Sequence, residues 1–318
     1  GLLYLRRYRE YERRLASRLR RIAAQPIEGD IASVAELFAR LFLLPPAGEG
    51  ARRADAGVAS NAHPHPNPLP PAGEGVNADD RQARAAALAL RRALLLVTGG
   101  PGTGKTTTIA RLLALRIAQA QHAGLASPRI ALAAPTGRAA DRMADSLRRA
   151  IANMAELGVD PDLLAALPDS ASTLHRLLGT IPDSPRFRFD ADNPLPFDIV
   201  VVDEASMVDL PLMCKLTEAV ADGAQLVLLG DADQLPSVEA GDVLAAILAA
   251  AGPGDALAVD DAQALRPLLA LDRHPRASGD PRTFVGEGET ATSMDSRLRG
   301  NDEQRQGLHG HRVHLQRG

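Results

Sequence analysis

The chain has 318 residues, 36 Lys+Arg against 39 Asp+Glu, and a formal net charge of −3. That balance excludes a protein that holds nucleic acid by bulk charge, so any such site must be local. Hydrophobic residues make up 45% and aromatics only 3%, so the core must be Ala, Leu and Val, and the single cysteine, Cys214, excludes an intrachain disulfide framework and a cysteine-based metal cluster.

Residues 2–24 read as a basic helix, with Leu2, Leu5, Leu15, Leu19 and Ile22 spaced along it and eight arginines between them. Tyr4, Tyr8 and Tyr11 also lie here at helical spacing. A docking helix with a solvated basic face is the first expectation, and direct DNA contact the second. Ile31 to Leu44 is also helical in pattern, closing an N-terminal helical segment over residues 1–44. Composition then breaks. Residues 45–79 are rich in Pro, Gly, Ala, Asn and His, and the heptapeptide Leu-Pro-Pro-Ala-Gly-Glu-Gly occurs at 44–50 and again at 69–75. Such a repeat cannot bury a core and reads as a disordered insertion. His63 and His65 fall in it without acidic or cysteine partners nearby, so no metal site is read there.

From 80 to 251 the pattern turns orderly. Four apolar strands are legible at Leu94–Val97, Ile130–Ala134, Ile199–Val202 and Leu226–Leu229. Helical patterns follow at Lys105–Ala120, Ala139–Met154, Leu210–Val220 and Asp242–Ala251. Strands alternating with helices predict an α/β fold with a parallel sheet, and short all-apolar strands suit a sheet covered on both faces. Residues 252–318 lose apolar periodicity and read as a mostly disordered tail. The chain shows no signal peptide and no apolar run near about 18 residues, which predicts a cytoplasmic protein with no membrane partner. It begins with Gly rather than Met, as a fragment would.

The strongest motif follows the first strand: Gly99, Gly100, Pro101, Gly102, Thr103, Gly104, Lys105 and Thr106, with Thr107 next. This is G-x-x-x-x-G-K-[ST] at a strand-to-helix junction, the pattern of a phosphate-binding loop. Glycines let successive N–H groups turn toward phosphate oxygens, and the helix beginning near Lys105 adds its positive end. Lys105 is one of only two lysines in the chain, Lys215 being the other. The second motif is Ile199-Val-Val-Val-Asp-Glu-Ala-Ser206, an apolar strand delivering two carboxylates to the sheet edge beside that loop. Asp203 can hold Mg²⁺ with the Thr106 hydroxyl, and Glu204 can polarise an attacking water. The third, Leu226-Val-Leu-Leu-Gly-Asp-Ala-Asp-Gln-Leu-Pro236, places Gln234 to hydrogen-bond a γ-phosphate or that water, while Asp231 and Asp233 shape the turn. Ala134-Pro-Thr-Gly-Arg138 offers phosphate-contacting groups at another strand end, although Pro-Thr-Gly is also a common turn. Ser172-Thr-Leu-His-Arg-Leu-Leu-Gly179 opens with an N-cap and carries His175.

Taken in order, these five motifs, with Asn193-Pro-Leu-Pro-Phe-Asp198, closely resemble the RecD family of superfamily 1 DNA helicases, the alpha subunits of exodeoxyribonuclease V. The resemblance covers residues 80–248 strongly and 1–44 more weakly. It implies a P-loop, RecA-like parallel sheet at 80–251 acting as an ATP-binding motor domain. The implied activity is ATP-dependent 5′-to-3′ DNA unwinding in double-strand break processing and recombinational repair. ATP and Mg²⁺ are the implied cofactors. The partners are single-stranded and duplex-end DNA, the beta chain (RecB) holding the nuclease and the gamma chain (RecC) gripping the duplex. By the same resemblance Gln82 reads adenine, Lys105, Glu204 and Gln234 are catalytic, Thr106 and Asp203 hold the metal, and Pro135, Thr136, Gly137, Arg138 and His175 face single-stranded DNA. Family members close the ATP site with arginines from a second motor domain. His311-Arg-Val-His-Leu-Gln-Arg317 resembles only the approach to it, so the resemblance implies a chain carrying the first motor domain. Another superfamily 1 helicase, such as a relaxase-associated one, and a protein that binds nucleotide without turning it over remain the alternatives.

Overall fold

The computed structural model describes residues 6–43, 78–231, 243–252, 254, 257–269, 308 and 310–315. Residues 45–77 with His63 and His65, and Gln234 with its neighbours, lie outside the described residues.

The helices in chain order are α1 (Arg6–Ala23), α2 (Ala35–Phe42), α3 (Ala78–Ala89), α4 (Lys105–His122), α5 (Gly137–Glu156), α6 (Pro161–Ala165), α7 (Leu174–Leu178), α8 (Leu210–Ala219), α9 (Val243–Ala251), α10 (Val259–Ala264) and α11 (Arg266–Leu269). The strands are β1 (Leu94–Thr98), β2 (Ile130–Ala134), β3 (Ser172–Thr173), β4 (Ile199–Val202), β5 (Gln225–Gly230) and β6 (Arg312–His314). They form one six-stranded sheet in the order β3-β2-β4-β5-β1-β6. Every pairing is parallel, so all carboxyl ends meet at one edge.

The all-apolar strands are fully covered because successive side chains enter opposite layers. Leu95, Val97, Val201, Val227 and Leu229 pack with α3, α4 and α5, against Ile109, Leu112, Leu113 and Met143. Leu94, Leu96, Val200, Val202, Leu226 and Leu228 face the other layer, with Leu19 and Ile22 of α1, Met213 and Leu216 of α8 and Ile247 of α9. Cys214 is a buried core residue there, and burial beside Glu218 pushes its thiol up to about 12.

The basic α1 docks. Arg14 makes two 2.6 Å bonds to the Glu218 carboxylate. Arg18 reaches Asp222 at 2.7 Å and the Thr217 carbonyl at 3.0 Å, and it also donates to the Val220 carbonyl. Its guanidinium therefore caps the carboxyl end of α8, where orphan carbonyls favour a cation.

β5 stands between β1 and β4, so the Asp-Glu strand is one strand removed from the loop-bearing strand. Parallel strands lie about 4.8 Å apart, which leaves about 10 Å between β1 and β4 for a ligand to bridge. Residues 252–318, whose composition carries little apolar periodicity, contribute α10, α11 and β6 among the described residues. Leu96 N donates to His311 O at 2.7 Å and Leu315 N to Thr98 O at 2.6 Å, which ties β6 to β1. Asp261 of α10, 0% exposed, is held by Arg91 at 3.2 Å and by Arg92 at 3.0 and 2.6 Å, just before β1 begins. Residues 270–307 lie outside the described residues.

Candidate nucleotide-binding site

β1 ends at Thr98 and the chain turns through Gly99–Gly104 into α4. Gly102 and Gly104 both take φ +79°, which a residue with a Cβ adopts only under strain. Thr103 closes the turn, its hydroxyl donating to Gly100 O at 2.9 Å. Gly99 has no room for a side chain, since a Cβ there would meet Leu315 O at 2.8 Å. Gly104 is the N-cap of α4 and brings no side-chain acceptor, so the amides of the first turn keep no intrahelical partner. They make, with the helix dipole, an anion-binding end. Lys105 Nζ donates to the carbonyls of Gly99 and, at 3.1 Å, Gly100. Gln82, on α3, reaches the loop from behind: its amide donates to Thr103 O at 3.2 Å.

β4 delivers Asp203 and Glu204 to the same edge. Asp203 Oδ1 accepts the Glu204 amide at 2.8 Å. Glu204 sits at φ +51°, one of two non-glycine residues in that region among the described residues, and begins a short 3-10 turn. Strained backbone at a carboxylate-bearing strand end is a mark of a functional position. Burial raises the carboxyl of Asp203 above its ordinary range, opposed by the Glu204 amide, Lys105 and Arg142. Burial also raises that of Glu204, aided by Asp203 and opposed by Lys105 and Arg142. Gly230 of β5 fits between, accepting Gly99 N at 3.2 Å. A Cβ there would meet the end of the Leu244 side chain at 2.3 Å, so a larger residue would have to displace that side chain of α9. Asp231, next in the chain, is 5% exposed and its charge acts on Glu204.

A cleft of about 390 Å³ opens over the loop, with Gly100 and Gly102–Thr107 on one side and Ser146, Arg149, Ala150 and Asn153 of α5 on the other. Pro101 is exposed at the rim. The motif reading passed over this wall of α5, and over Arg142, whose guanidinium lies 3.9 Å from Glu204. Arg142, Ser146, Arg149 and Asn153 recur at i, i+4, i+7 and i+11, so a helical wheel drawn for α5 puts them on one face.

Pro135, Thr136, Gly137, Arg138 and His175 lie together at the β2–β3 end of the same edge. Ala134 pairs with Thr173, so Pro135, Thr136 and the first turn of α5 lie beside the start of α7. Thr136 caps α5, accepting Ala139 N at 3.2 Å, and Thr173 caps α7, accepting Arg176 N at 3.2 Å. A Cβ at Gly137 would meet open space, and Arg138 and His175 are exposed. The His175 ring meets Phe187 edge-on at 5.7 Å, and Lys215 sits 5.0 Å over that Phe187 ring. Strands β4 and β5 separate this cluster from β1.

A glycine-rich loop feeding a helix and an acidic pair on a parallel strand, one strand removed, define a P-loop domain of RecA-like α/β build. The AAA domain family matches residues 82–240, half of the chain, and the chain belongs to that family. It is similar to the RecBCD enzyme subunit RecD of Mycobacterium tuberculosis, 58% identical over 167 residues, 52% of this chain and 28% of the relative. The RecBCD enzyme subunit RecD of Haemophilus influenzae is 46% identical over 166 residues, 52% of this chain and 25% of the relative. The ATP-dependent RecD2 DNA helicase of Deinococcus radiodurans is 35% identical over 218 residues, 69% of this chain and 25% of the relative. The chain thus spans about a quarter of the length of these curated relatives. Among the described residues no helix is long and apolar enough to cross a membrane.

Proposed function

We propose that this chain carries the ATP-binding motor domain of a RecD-type DNA helicase, the alpha subunit of an exodeoxyribonuclease V. Its work would be 5′-to-3′ unwinding at double-strand ends during recombinational repair in the cytoplasm, with RecB and RecC chains as partners. The observation that carries the reading is the convergence of Lys105, Thr106, Asp203 and Glu204 on one sheet edge, spanned by β5. The RecBCD subunits RecD of Mycobacterium tuberculosis and Haemophilus influenzae, at 58% and 46% identity against 35% for the RecD2 helicase, support the subunit reading.

In this reading the loop amides and the α4 dipole hold the triphosphate, and Lys105 neutralises its β/γ end as a compact cation. The donor set suits Mg²⁺. Thr106 offers a hydroxyl and Asp203 a carboxylate, both hard oxygens, and no cluster of three or more acidic, His or Cys residues occurs among the described residues. Mg²⁺ is bound in this way, through one or two protein oxygens completed by phosphate and water. When bound it would shield charge on the β- and γ-oxygens. Glu204 accepts the proton of the attacking water, helped by the burial that raises its proton affinity. Gln234 senses the γ-phosphate, Gln82 reads adenine, and Pro135, Thr136, Gly137, Arg138 and His175 touch single-stranded DNA.

The test is ATP turnover by the full chain with and without single-stranded DNA, beside Lys105→Ala. DNA-stimulated turnover that disappears in the variant supports a motor. If neither protein binds Mg·ATP, the reading fails.

A further inference from the structure

We propose that Arg149 of α5 binds the nucleoside-side phosphate of the nucleotide, with Asn153 and Ser146 as flanking hydrogen-bonding groups on the same wall. This rests on the P-loop being an ATP site, and it adds a residue outside every motif read from the sequence.

The cleft over the loop contains two charged side chains, Lys105 and Arg149, and no carboxylate among its described lining. Two cations lining one cleft, one on the loop and one on the opposite helix wall, suit an extended polyanion better than a single phosphate group. Their order along the ligand follows from α5. Arg142, at one end of the polar face, lies 3.9 Å from Glu204, the residue at the hydrolytic end. Arg149 and Asn153 lie about two and three turns further along the same face and line the cleft with Thr107. A chain of phosphates whose γ end is at Lys105 and Glu204 therefore runs toward Arg149 at its nucleoside end.

The neighbouring arginine shows that this placement is particular. Arg148 is neutralised by Asp145 at 2.5 Å and donates to Asp169 O at 3.4 Å. It faces a different hollow, with Leu164 and Asp169. Arg149 bonds only within its own helix, to Asp145 O at 3.3 Å and Ser146 Oγ at 3.2 Å, and among the described residues no carboxylate pairs with it. Both internal bonds are to neutral groups, so the guanidinium charge remains free to meet phosphate.

The experiment measures binding of Mg·ATP and Mg·ADP to the full chain, by displacement of a fluorescent ADP analogue. Wild type is compared with Arg149→Ala, Arg149→Lys and Arg148→Ala, with helix content checked by circular dichroism. Arg149→Ala is expected to weaken ATP and ADP equally, each about tenfold, because the contact is to a phosphate both possess. Arg149→Lys recovers part of the loss, and Arg148→Ala stays within about twofold of wild type. ADP binding unchanged in Arg149→Ala overturns the proposal, as does a loss confined to ATP, which would put Arg149 at the γ end. Equal losses in Arg148→Ala and Arg149→Ala also overturn it, by reducing the effect to net charge. A wild-type chain that binds neither nucleotide overturns the ATP-site reading itself, a result distinct from these.

Discussion

Substituting alanine at Gly104 tests whether the loop geometry is held as described. The residue sits at φ +79°, ψ +19°, where an L-residue costs about 1–2 kcal/mol. The added Cβ would lie 2.6 Å from Gln82 Nε2, so the Gln82 side chain must leave. It then loses its bond to Thr103 O, now 3.2 Å, worth about 1 kcal/mol net. The total is about 2–3 kcal/mol, a factor of about 30–150 in an equilibrium constant. Where it appears depends on the loop. A loop that keeps its shape loses stability, seen as a lower urea midpoint. A loop that relaxes loses Mg·ATP affinity, seen by fluorescence titration. The two losses together should reach that total. Gln82→Ala removes the obstructing amide, so Gly104→Ala should cost about 1 kcal/mol less in that background. Unchanged affinity and stability in Gly104→Ala, or the same cost with and without Gln82, would refute the reasoning.

Three further outcomes follow from the packing. Asp261→Ala leaves Arg91 and Arg92 without their buried partner. Because those arginines keep 34% and 27% side-chain exposure, the cost falls below that of a fully buried pair, at about 2–3 kcal/mol in urea unfolding; a loss under about 0.5 kcal/mol would contradict it. His311, whose Nδ1 meets Leu94 O at 2.9 Å, has its pKa lowered chiefly by burial, so the folded state disfavours the imidazolium. Stability from this group is complete above the unfolded value of about 6.5 and is lost as pH falls below it toward the lower folded value. Urea midpoints between pH 8 and 5 should therefore drop more steeply in wild type than in His311→Gln, and parallel curves would contradict this. Arg18→Ala removes the cap on α8 and should cost about 1.5–3 kcal/mol and speed proteolytic release of α1, whereas Arg13→Ala, an exposed pair with Glu10, should change neither.

The strands Ile130–Ala134 and Ile199–Val202 are visible in the sequence to the residue, because a buried parallel strand is a short unbroken apolar run between turn signals. The phosphate loop and the Asp203-Glu204 pair are visible for a related reason: each is a contiguous stretch whose chemistry needs neighbours in sequence. β3 escapes, being two residues long, and α3 escapes because its buried face is alanine, which has little contrast with its surroundings. β6 escapes because Arg-Val-His carries one apolar residue and is made a strand only by its partner β1. Arg142 and Arg149 are invisible as motifs because what brings them to the site is the packing of α5 against α4, a tertiary fact.

The pairing of β6 with β1 also sets a schedule. Thr98 Oγ1 meets His314 Nδ1 at 3.0 Å across 216 positions of chain. At about 5–20 residues per second, the strand that bears the phosphate loop leaves the ribosome roughly 10–40 s before its outer neighbour exists. Through that interval one margin of β1 offers its backbone amides and carbonyls to any extended segment within reach, including the same strand in a chain on an adjacent ribosome. The segment around Leu308–Leu315 thus closes a seam along the strand that bears the phosphate loop, and it does so last.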